Sequence, residues 1–490
     1  MAAGNPPAAG RTALVVGGGI SGLIAARELA QAGLRTTLLE ATEAWGGCVG
    51  RHDVAGLTLD SGAESFATRS SAVADLAAEL DLAGNIVAPH PGGAWVQLPD
   101  GPRELPKTGV LGIPANPWDP EVRRSLGLRG SLRASLDKFL PSSVGTKADV
   151  SSVSALVRAR MGRRVLERLV EPVVGGVHSA DPGLLDVDMV APGLRAGITR
   201  HGSLAAAVAA QRKVTGAQGS DAQGPGVRGA AAKAGSAVAG LKGGMHTLVA
   251  ALVADLRRRG AELVPGTRAD AAARTPGGWR IAAGKETYDA DVLVIALDGP
   301  SAVGLLQDAV PALAGHRPGP GPEVKLVTLV VDLPELDVRP RGTGILVAPQ
   351  TAGIRAKALT HATAKWDWLA AEAGPGRHVL RLSYGRRDGA AAGGRAPAVG
   401  SDAALLDIAL QDASALLTVP VKAEAVAGWD VVSWAGALPF AAVGHRQRVA
   451  DVRRICSGSA DLLMVGGWLA GNGLAAVVAD TREQLRAFLR

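Results

Sequence analysis

The first hydrophobic run of the chain covers residues 13–16, and a glycine-rich turn follows it at once. Apolar positions then recur with a helical period over residues 20–32, Gly33 ends that segment, and a second apolar run occupies residues 35–39. A short buried strand, a turn, a helix and a second strand are the parts of a βαβ unit. The N-terminal pattern therefore predicts two parallel strands joined by a helix.

The turn after the first strand carries glycines at 17, 19 and 22, the spacing G-x-G-x-x-G. Gly17 permits a tight turn, Gly19 lets backbone approach a pyrophosphate, and Gly22 lets the helix pack against the strand. The helix would direct its N-terminal amides at the phosphates, and Glu40 ends the second strand, where it can accept hydrogen bonds from ribose hydroxyls. Glycine makes up 65 of 490 residues, so the bare spacing has little weight. The strand, helix and acid around it together predict a dinucleotide site.

Further along the chain the pattern predicts both helices and strands. Helices are predicted at residues 72–80, over most of 120–175, at 246–259 and at the C-terminus to about 489, with strand-and-turn structure at 95–114. Strands at 262–264, 279–282 and 292–296 are expected to continue the first sheet, and 462–465 completes the nucleotide domain. Antiparallel strands are predicted at residues 325–332, 344–347, 378–383 and 421–428.

Composition narrows the classes of protein. Hydrophobic residues make up 47%, which is typical of a globular chain, and 490 residues allow two or three domains. The net charge of +7 favours an anionic ligand or an anionic membrane surface. The basic clusters carry no interleaved aromatic residues, which argues against nucleic-acid binding; they comprise Arg123, Arg124, Arg129 and Arg133, then Arg158, Arg160, Arg163, Arg164 and Arg168.

Other functional classes find no support in the sequence. Cys48 and Cys456 lie far apart and the nine histidines show no ligand spacing, so neither a disulfide framework nor a metal site is predicted. No secretory signal or membrane-spanning apolar run is apparent, which predicts a cytoplasmic protein, with peripheral membrane contact through the basic segment 120–175 as an option.

Four later segments carry a more specific signal. Residues 60–66 read D-S-G-A-E-S-F, residues 169–182 read L-V-E-P-V-V-G-G-V-H-S-A-D-P, and L-K-G-G-M and V-G-H stand at 241–245 and 443–445. Together they resemble the porphyrinogen oxidases, FAD enzymes of haem synthesis within the monoamine-oxidase-like flavoproteins, over nearly the whole chain. The chain departs from that pattern at Ala44, Cys48 and Ala63, and its C-terminal motif keeps Gly471 and Gly473 without the proline, aspartate, cysteine and serine-glycine that the family places after them.

The resemblance implies an α/β fold with a Rossmann-like FAD-binding domain in discontinuous segments, a mixed α+β substrate domain and a helical subdomain. The FAD-binding domain would take residues 1–66, 240–298 and 443–490, the substrate domain 67–114, 171–214 and 299–442, the helical subdomain 115–170, and a flexible insertion 215–239. The residues implied to hold FAD are Gly17, Gly18, Gly19, Ile20, Ser21, Gly22, Glu40, Ala41, Gly46, Gly47, Cys48, Gly62, Ala63, Glu64, Ser65, Ala269, Gly467, Asn472, Gly473 and Leu474.

The implied reaction is dehydrogenation of a porphyrinogen with O2 as final acceptor, coproporphyrinogen III being favoured over protoporphyrinogen IX. No catalytic acid or base is assigned; His178, Lys242 and His445 are the best polar candidates, and a structural role is the preferred interpretation of each. Arg103, Lys107 and Lys242 could attract the substrate carboxylates. Transient contact with other enzymes of haem synthesis is possible. Two alternatives stay open: another amine oxidase or desaturase of the superfamily, and a non-catalytic binding protein on the same fold.

Overall fold

A parallel sheet and a larger, mostly antiparallel sheet organise the chain. The structure is a computed structural model that describes residues 10–107, 109–146, 152–221 (backbone only over 214–221), 238–385, 401–436 and 441–490. In chain order the strands are β1 (Thr12–Val16), β2 (Arg35–Leu39), β3 (Arg51–Val54), β4 (Leu57–Asp60), β5 (Phe66–Ala67), β6 (Ile86–Val87), β7 (Trp95–Leu98), β8 (Gly101–Glu104), β9 (Gly109–Val110), β10 (Ile113–Pro114), β11 (Val238–Leu241), β12 (Glu262–Val264), β13 (Ala271–Thr275), β14 (Gly278–Ala283), β15 (Glu286–Ala290), β16 (Val292–Ile295), β17 (Val324–Asp332), β18 (Gly344–Val347), β19 (Ala358–His361), β20 (Arg377–Tyr384), β21 (Val426–Trp434) and β22 (Leu462–Met464).

Helices fill most of the remaining described chain. They are α1 (Ile20–Gln31), α2 (Ala72–Glu79), α3 (Pro120–Ser135), α4 (Val153–Met161), α5 (Arg163–Val165), α6 (Glu171–His178), α7 (Val187–Val190), α8 (Leu194–His201), α9 (Leu204–Asp221), α10 (His246–Arg258), α11 (Gly299–Leu306), α12 (Ala362–Lys365), α13 (Asp367–Ala373), α14 (Asp402–Leu417), α15 (His445–Ser457), α16 (Gly467–Ala470) and α17 (Leu474–Phe488). A π-turn at Leu166–Val170 joins α5 to α6, and 3₁₀ turns lie at Ala83–Asn85, Leu136–Phe139, Pro311–His316, Pro334–Leu336 and Ala423–Ala425.

The parallel sheet is assembled from distant parts of the chain, in the order β12-β2-β1-β16-β22. β16 is buried at every position and β1 at all but its first, as expected of strands covered on both faces: one face packs on α1, α10 and α17, the other partly on β13–β15. α1 lies against the sheet so closely that a Cβ on Gly22 would sit 1.8 Å from the carbonyl oxygen of Gly17. The predicted βαβ unit and the α/β fold class are confirmed.

One strand assigned to that sheet belongs elsewhere. The prediction that residues 279–282 continue the parallel sheet is wrong, because β14 pairs antiparallel with β13 and β15 in a separate three-stranded sheet. Its burial alternates along the strand, with Trp279 and Ile281 fully buried, which is the pattern of a sheet covered on one face only. A tight turn at Gly284 (φ +61°) makes the β14–β15 hairpin.

The larger sheet has the order β21-β17-β20-β19-β18-β7-β8 and is antiparallel except between β18 and β7. The strand predicted at residues 421–428 is displaced: a 3₁₀ turn fills Ala423–Ala425, and β21 runs on to Trp434, which pairs with Val324. β21 is an edge strand, in which Asp430 is half-buried and Ser433 exposed. Because such polar side chains interrupt the apolar pattern, the pattern did not predict the bounds of this strand.

The helical part of the chain has its own core, formed by α3 to α9 with residues such as Leu126, Leu156 and Leu194. α3 is broken at Gly127, whose φ of +67° is not helical. α9 continues to Asp221, so residues 215–221 of the predicted flexible insertion are helical, and Val238 and Ala239 belong to β11. The rest of that insertion, residues 222–237, lies outside the described residues.

Candidate cofactor and substrate site

A cavity of about 570 Å³ lies between the parallel sheet and the seven-stranded sheet. Its walls combine the glycine-rich turn before α1, the loop before β5 and the turn before α17 with Val324 and Leu326 of β17 and Trp434 of β21. The structure brings together in this lining the following predicted cofactor residues: Gly19, Ile20, Ser21, Gly46, Cys48, Gly62, Ala63, Glu64, Ser65, Gly467, Asn472, Gly473 and Leu474.

The other predicted cofactor residues lie outside the lining: Gly17, Gly18, Gly22, Glu40, Ala41, Gly47 and Ala269. Glu40 accepts hydrogen bonds from the amide of Gly18 (2.7 Å) and from the amide and hydroxyl of Thr42 (both 2.9 Å). A Cβ on Gly18 would lie 2.5 Å from the Trp45 ring. Glu40 thus holds the backbone of the turn, and the Trp45 ring packs against Gly18.

Two helices begin at the cavity. Gly19 precedes α1 and Gly473 precedes α17, and a Cβ placed on either glycine would meet no atom within 4 Å. Both backbones are therefore open towards the cavity. Helix N-termini carry unpaired N–H groups and a partial positive charge, which favour an anion such as a pyrophosphate.

One wall of the cavity, residues 61–65, is fixed through its backbone. Ala63 donates its amide proton to the carbonyl of Cys48 (2.8 Å), and a Cβ on Gly62 would lie 2.1 Å from the same oxygen, so only glycine fits. Trp434 Nε1 donates to the carbonyl of Ser61 (2.9 Å). This loop is thereby held between the nucleotide segment and the large sheet.

Glu64 of the same wall is paired with two cations. Its carboxylate accepts from Lys365 Nζ (2.5 Å) and from Arg381 Nη1 (2.9 Å), and Arg381 Nη2 donates to the carbonyl of Gly62 (2.7 Å). Burial alone would raise the pKa of Glu64, but the two cations outweigh it and lower the pKa to about 2. Glu64 is therefore ionised over the whole physiological range.

The candidate histidines are buried and neutral. His445 lines the cavity, donates from Nε2 to the carbonyl of Trp468 (2.6 Å), and has a pKa lowered by burial. Burial lowers the pKa of His178 to about 4. Its neighbour Val177 lines the cavity and accepts from Asn472 Nδ2 (2.9 Å), which ties α6 to the turn before α17.

The basic residues of the site differ from those predicted. Arg103, Lys107 and Lys242 do not line the cavity. Lys357, which is 4% exposed, does line it, and its ammonium donates to the hydroxyl of Ser179. Lys357 carries no sequence signal beyond its place before an apolar strand, and pattern alone does not reveal which way such a side chain points.

The residues present fit FAD. A dinucleotide needs an anion site for its pyrophosphate and an open surface for its rings, and the cavity offers two helix N-termini with glycine backbones facing it. Burial raises the pKa of the Cys48 thiol, so this lining residue is uncharged and does not repel the phosphates. The described residues contain no group of three or more histidine, cysteine, aspartate and glutamate side chains suited to a metal ion.

Comparisons with known proteins agree with this fit. The family profile described as flavin-containing amine oxidoreductase matches residues 20–474. The coproporphyrinogen III oxidase of Bacillus subtilis is 27% identical over 470 residues, covering 94% of each chain. That of Propionibacterium freudenreichii is 29% identical, covering 96% of this chain and 89% of its own.

Solved structures share the fold. A crystal structure described as a putative protoporphyrinogen oxidase from Exiguobacterium superposes with a TM-score of 0.79 at 24% identity, covering 98% of this chain and 99% of its own. Cyclohexylamine oxidase from Brevibacterium oxydans gives a TM-score of 0.65 at 14% identity, with 98% of each chain covered. At these identities the likeness concerns architecture alone.

Proposed function

The chain belongs to the family of flavin-containing amine oxidoreductases, and from that premise we propose that it is an FAD-dependent oxidase acting on a porphyrinogen in haem synthesis. Coproporphyrinogen III is the preferred substrate and O2 the final acceptor. The observation that carries the proposal is the similarity of nearly the whole chain to coproporphyrinogen III oxidases, joined to a cavity shared by the nucleotide segments and the large sheet.

We assign the FAD site to the predicted residues in two groups. Those that line the cavity would face the pyrophosphate and flavin, with the N-termini of α1 and α17 stabilising negative charge. Glu40, Ala41 and Ala269, which lie outside the lining, would contact the adenosine part of FAD. When bound, FAD supplies hydride acceptance. The division into FAD-binding, substrate and helical domains stated above belongs to the same proposal.

The task of the protein itself is placement. For hydride removal, the surrounding residues need to orient the substrate and exclude water. His178 and His445 are neutral and already hydrogen-bonded or buried, so neither is assigned as an acid or base. The side-chain amine of Lys357 lies in the cavity wall as a hydrogen-bond donor, which suits a substrate rich in carboxylates.

The experiment supplies coproporphyrinogen III and protoporphyrinogen IX separately, under air, to the purified flavoprotein and follows porphyrin fluorescence and peroxide. We expect faster fluorescence growth with coproporphyrinogen, four of whose side chains end in carboxylates. Flavin-loaded protein that yields no porphyrin from either substrate, yet forms peroxide from amines, would transfer the assignment to an amine oxidase. A colourless protein that takes up no FAD would leave a non-catalytic binding protein.

We further propose that the protein docks on an anionic membrane surface through an apolar stripe formed by α3, the turn after it and Trp118, which precedes α3 and donates from Nε1 to Ser135. The exposed fractions are 41% for Trp118, 63% for Leu128, 57% for Leu132, 50% for Leu136 and 82% for Phe139. The exposed charged residues over 120–139 are Arg123, Arg124, Arg129 and Lys138, while both acids of that range are at least half-buried. Large apolar side chains flanked by cations suit the interface of an anionic bilayer. No described helix is long and apolar enough to cross a membrane.

A further inference from the structure

The ion cluster of Glu64, Lys365 and Arg381 joins two parts of the molecule. Glu64 belongs to the cavity wall of residues 61–65, whereas Arg381 lies in β20 of the large sheet and Lys365 ends α12. All three are largely buried: 16% of the Glu64 side chain, 15% of Lys365 and 9% of Arg381 remain exposed. The cluster therefore connects the large sheet to a loop that lines the proposed flavin site.

The cluster carries one positive charge more than it needs for neutrality. Two cations face one carboxylate, and the lowered pKa of Glu64 keeps that carboxylate ionised. The nearest acids along the chain are occupied elsewhere: Asp60 accepts from the amides of Met245 and His246 and from His246 Nδ1, and Asp367 pairs with Arg339. Within the part of the chain described, Arg381 Nε is buried and has no hydrogen-bond partner.

Arg381 holds the loop at two points. Nη1 contacts the Glu64 side chain at 2.9 Å and Nη2 the backbone carbonyl of Gly62 at 2.7 Å. A planar guanidinium that donates to two neighbouring acceptors fixes their orientation as well as their distance. Lys365 can donate only to the carboxylate side of this arrangement, at 2.5 Å. Arg381 thus adds a charged, two-point contact to the backbone bonds that hold the cavity wall.

We propose that Arg381 and Lys365 are positioning residues for the bound flavin: they fix the wall formed by residues 61–65, and their excess positive charge raises the reduction potential of the cofactor. Reduction brings two electrons to the flavin, and a fixed positive charge in a poorly solvated wall stabilises the added negative charge. The inference rests on flavin binding by the family and not on the identity of the substrate.

The test measures the midpoint potential of the bound flavin by equilibration with a redox dye, together with the dissociation constant for FAD. Arg381→Met removes the charge and both contacts, Arg381→Lys keeps the charge, and Glu64→Gln removes the negative partner. Arg377→Met is the matched control, because Arg377 lies in the same strand and pairs with Asp332 at the surface.

We expect a lower midpoint potential for Arg381→Met, a higher one for Glu64→Gln, and the wild-type value for Arg377→Met. Arg381→Lys should retain most of the potential while binding FAD about tenfold more weakly, since one contact of a charged donor is lost. A purely structural role would shift the potential in the same direction in Arg381→Met and Glu64→Gln, or not at all, and either result overturns the proposal.

The outcome does not depend on one variant or on the substrate. If Arg381→Met yields no flavoprotein, a higher potential in Glu64→Gln than in Arg381→Lys supports the proposal, and equal potentials overturn it. Failure of the wild-type protein to oxidise porphyrinogens would remove the proposed substrate, yet it would leave these potentials and their ordering unchanged.

Discussion

Gly19 stands between the first strand and α1, with its backbone open to the cavity. Its φ of −67° is accessible to every residue, and a Cβ would meet no protein atom within 4 Å. We therefore predict that Gly19→Val folds normally while its side chain enters the space assigned to the pyrophosphate. The expected result is apoprotein, measured as the ratio of flavin absorbance to protein alongside an unchanged circular dichroism spectrum.

The control for this substitution is Gly84→Val. Gly84 is exposed in a 3₁₀ turn, and a Cβ there also meets no atom within 4 Å, so the same change is made away from the cavity. It should retain the wild-type flavin content. Equal flavin content in both variants would contradict the place given to the pyrophosphate.

At the scale of elements, the apolar stripe of α3 can be tested separately from catalysis. Leu132→Ser and Phe139→Ser replace side chains that make few internal contacts, so each should change stability by less than about 0.5 kcal/mol. Each removes a large part of the apolar area available to a bilayer, and co-sedimentation with vesicles containing phosphatidylserine should weaken by about tenfold. Added salt should weaken the wild-type interaction as well.

Val338→Ser is the control, because Val338 is 80% exposed but lies outside the stripe. It should sediment with vesicles as the wild-type protein does. The membrane proposal is contradicted if the wild-type protein does not bind anionic vesicles, or if the stripe variants bind them as tightly as Val338→Ser does. The stripe would then suit an acidic protein partner, such as another enzyme of haem synthesis.

Elements with a strong apolar period were the ones that the sequence predicted well. β2 occupies residues 35–39 as expected, and α10 ends one residue before its predicted boundary. β21 was displaced because an edge strand does not need an apolar face, and β14 was given to the wrong sheet because periodicity does not identify the pairing partner. Local pattern specifies what an element is, and long-range contacts decide where it pairs.

At the scale of the whole molecule, buried histidines predict sensitivity to acid. Burial lowers the pKa of His178 to about 4 and that of His361 to about 3, the latter with help from His378 and Arg339. The unfolded chain binds these protons below about pH 6.5 and the folded chain does not, so stability falls as the pH drops from 6.5 towards 4. Each histidine contributes a slope of about 1.4 kcal/mol per pH unit within that window.

The measurement is the free energy of unfolding by urea at pH 7, 6 and 5. His178→Gln should lower the dependence of the unfolding free energy on pH by about 1.4 kcal/mol per pH unit, the contribution of one histidine. His201→Gln, at an exposed position that ends α8, should leave that dependence unchanged. A stability that is level between pH 7 and 5 would contradict the burial of these imidazoles.

The site could be predicted only as far as its residues stand in local motifs. Spacing identified the glycines at 17–22 and the segment at 60–66, and of these Gly19 and residues 62–65 line the cavity. Lys357 lies just before β19 and Trp434 ends β21, and only the pairing of the large sheet brings these two residues to the cavity. Arg381 of β20 does not line the cavity itself, but it contacts the lining residue Glu64 across more than three hundred positions of chain.

The sheet order β12-β2-β1-β16-β22 also has a consequence in time. During synthesis the glycine-rich turn leaves the ribosome early, but β22 and the turn before α17 are made more than four hundred residues later. At roughly 5 to 20 residues per second, the nascent chain spends tens of seconds with one flank of its parallel sheet unpaired. Because the proposed flavin site includes the turn before α17, we expect flavin capture to be among the last events of maturation. A ribosome stalled before residue 462 would carry a chain that exposes the apolar edge of β16 to chaperones.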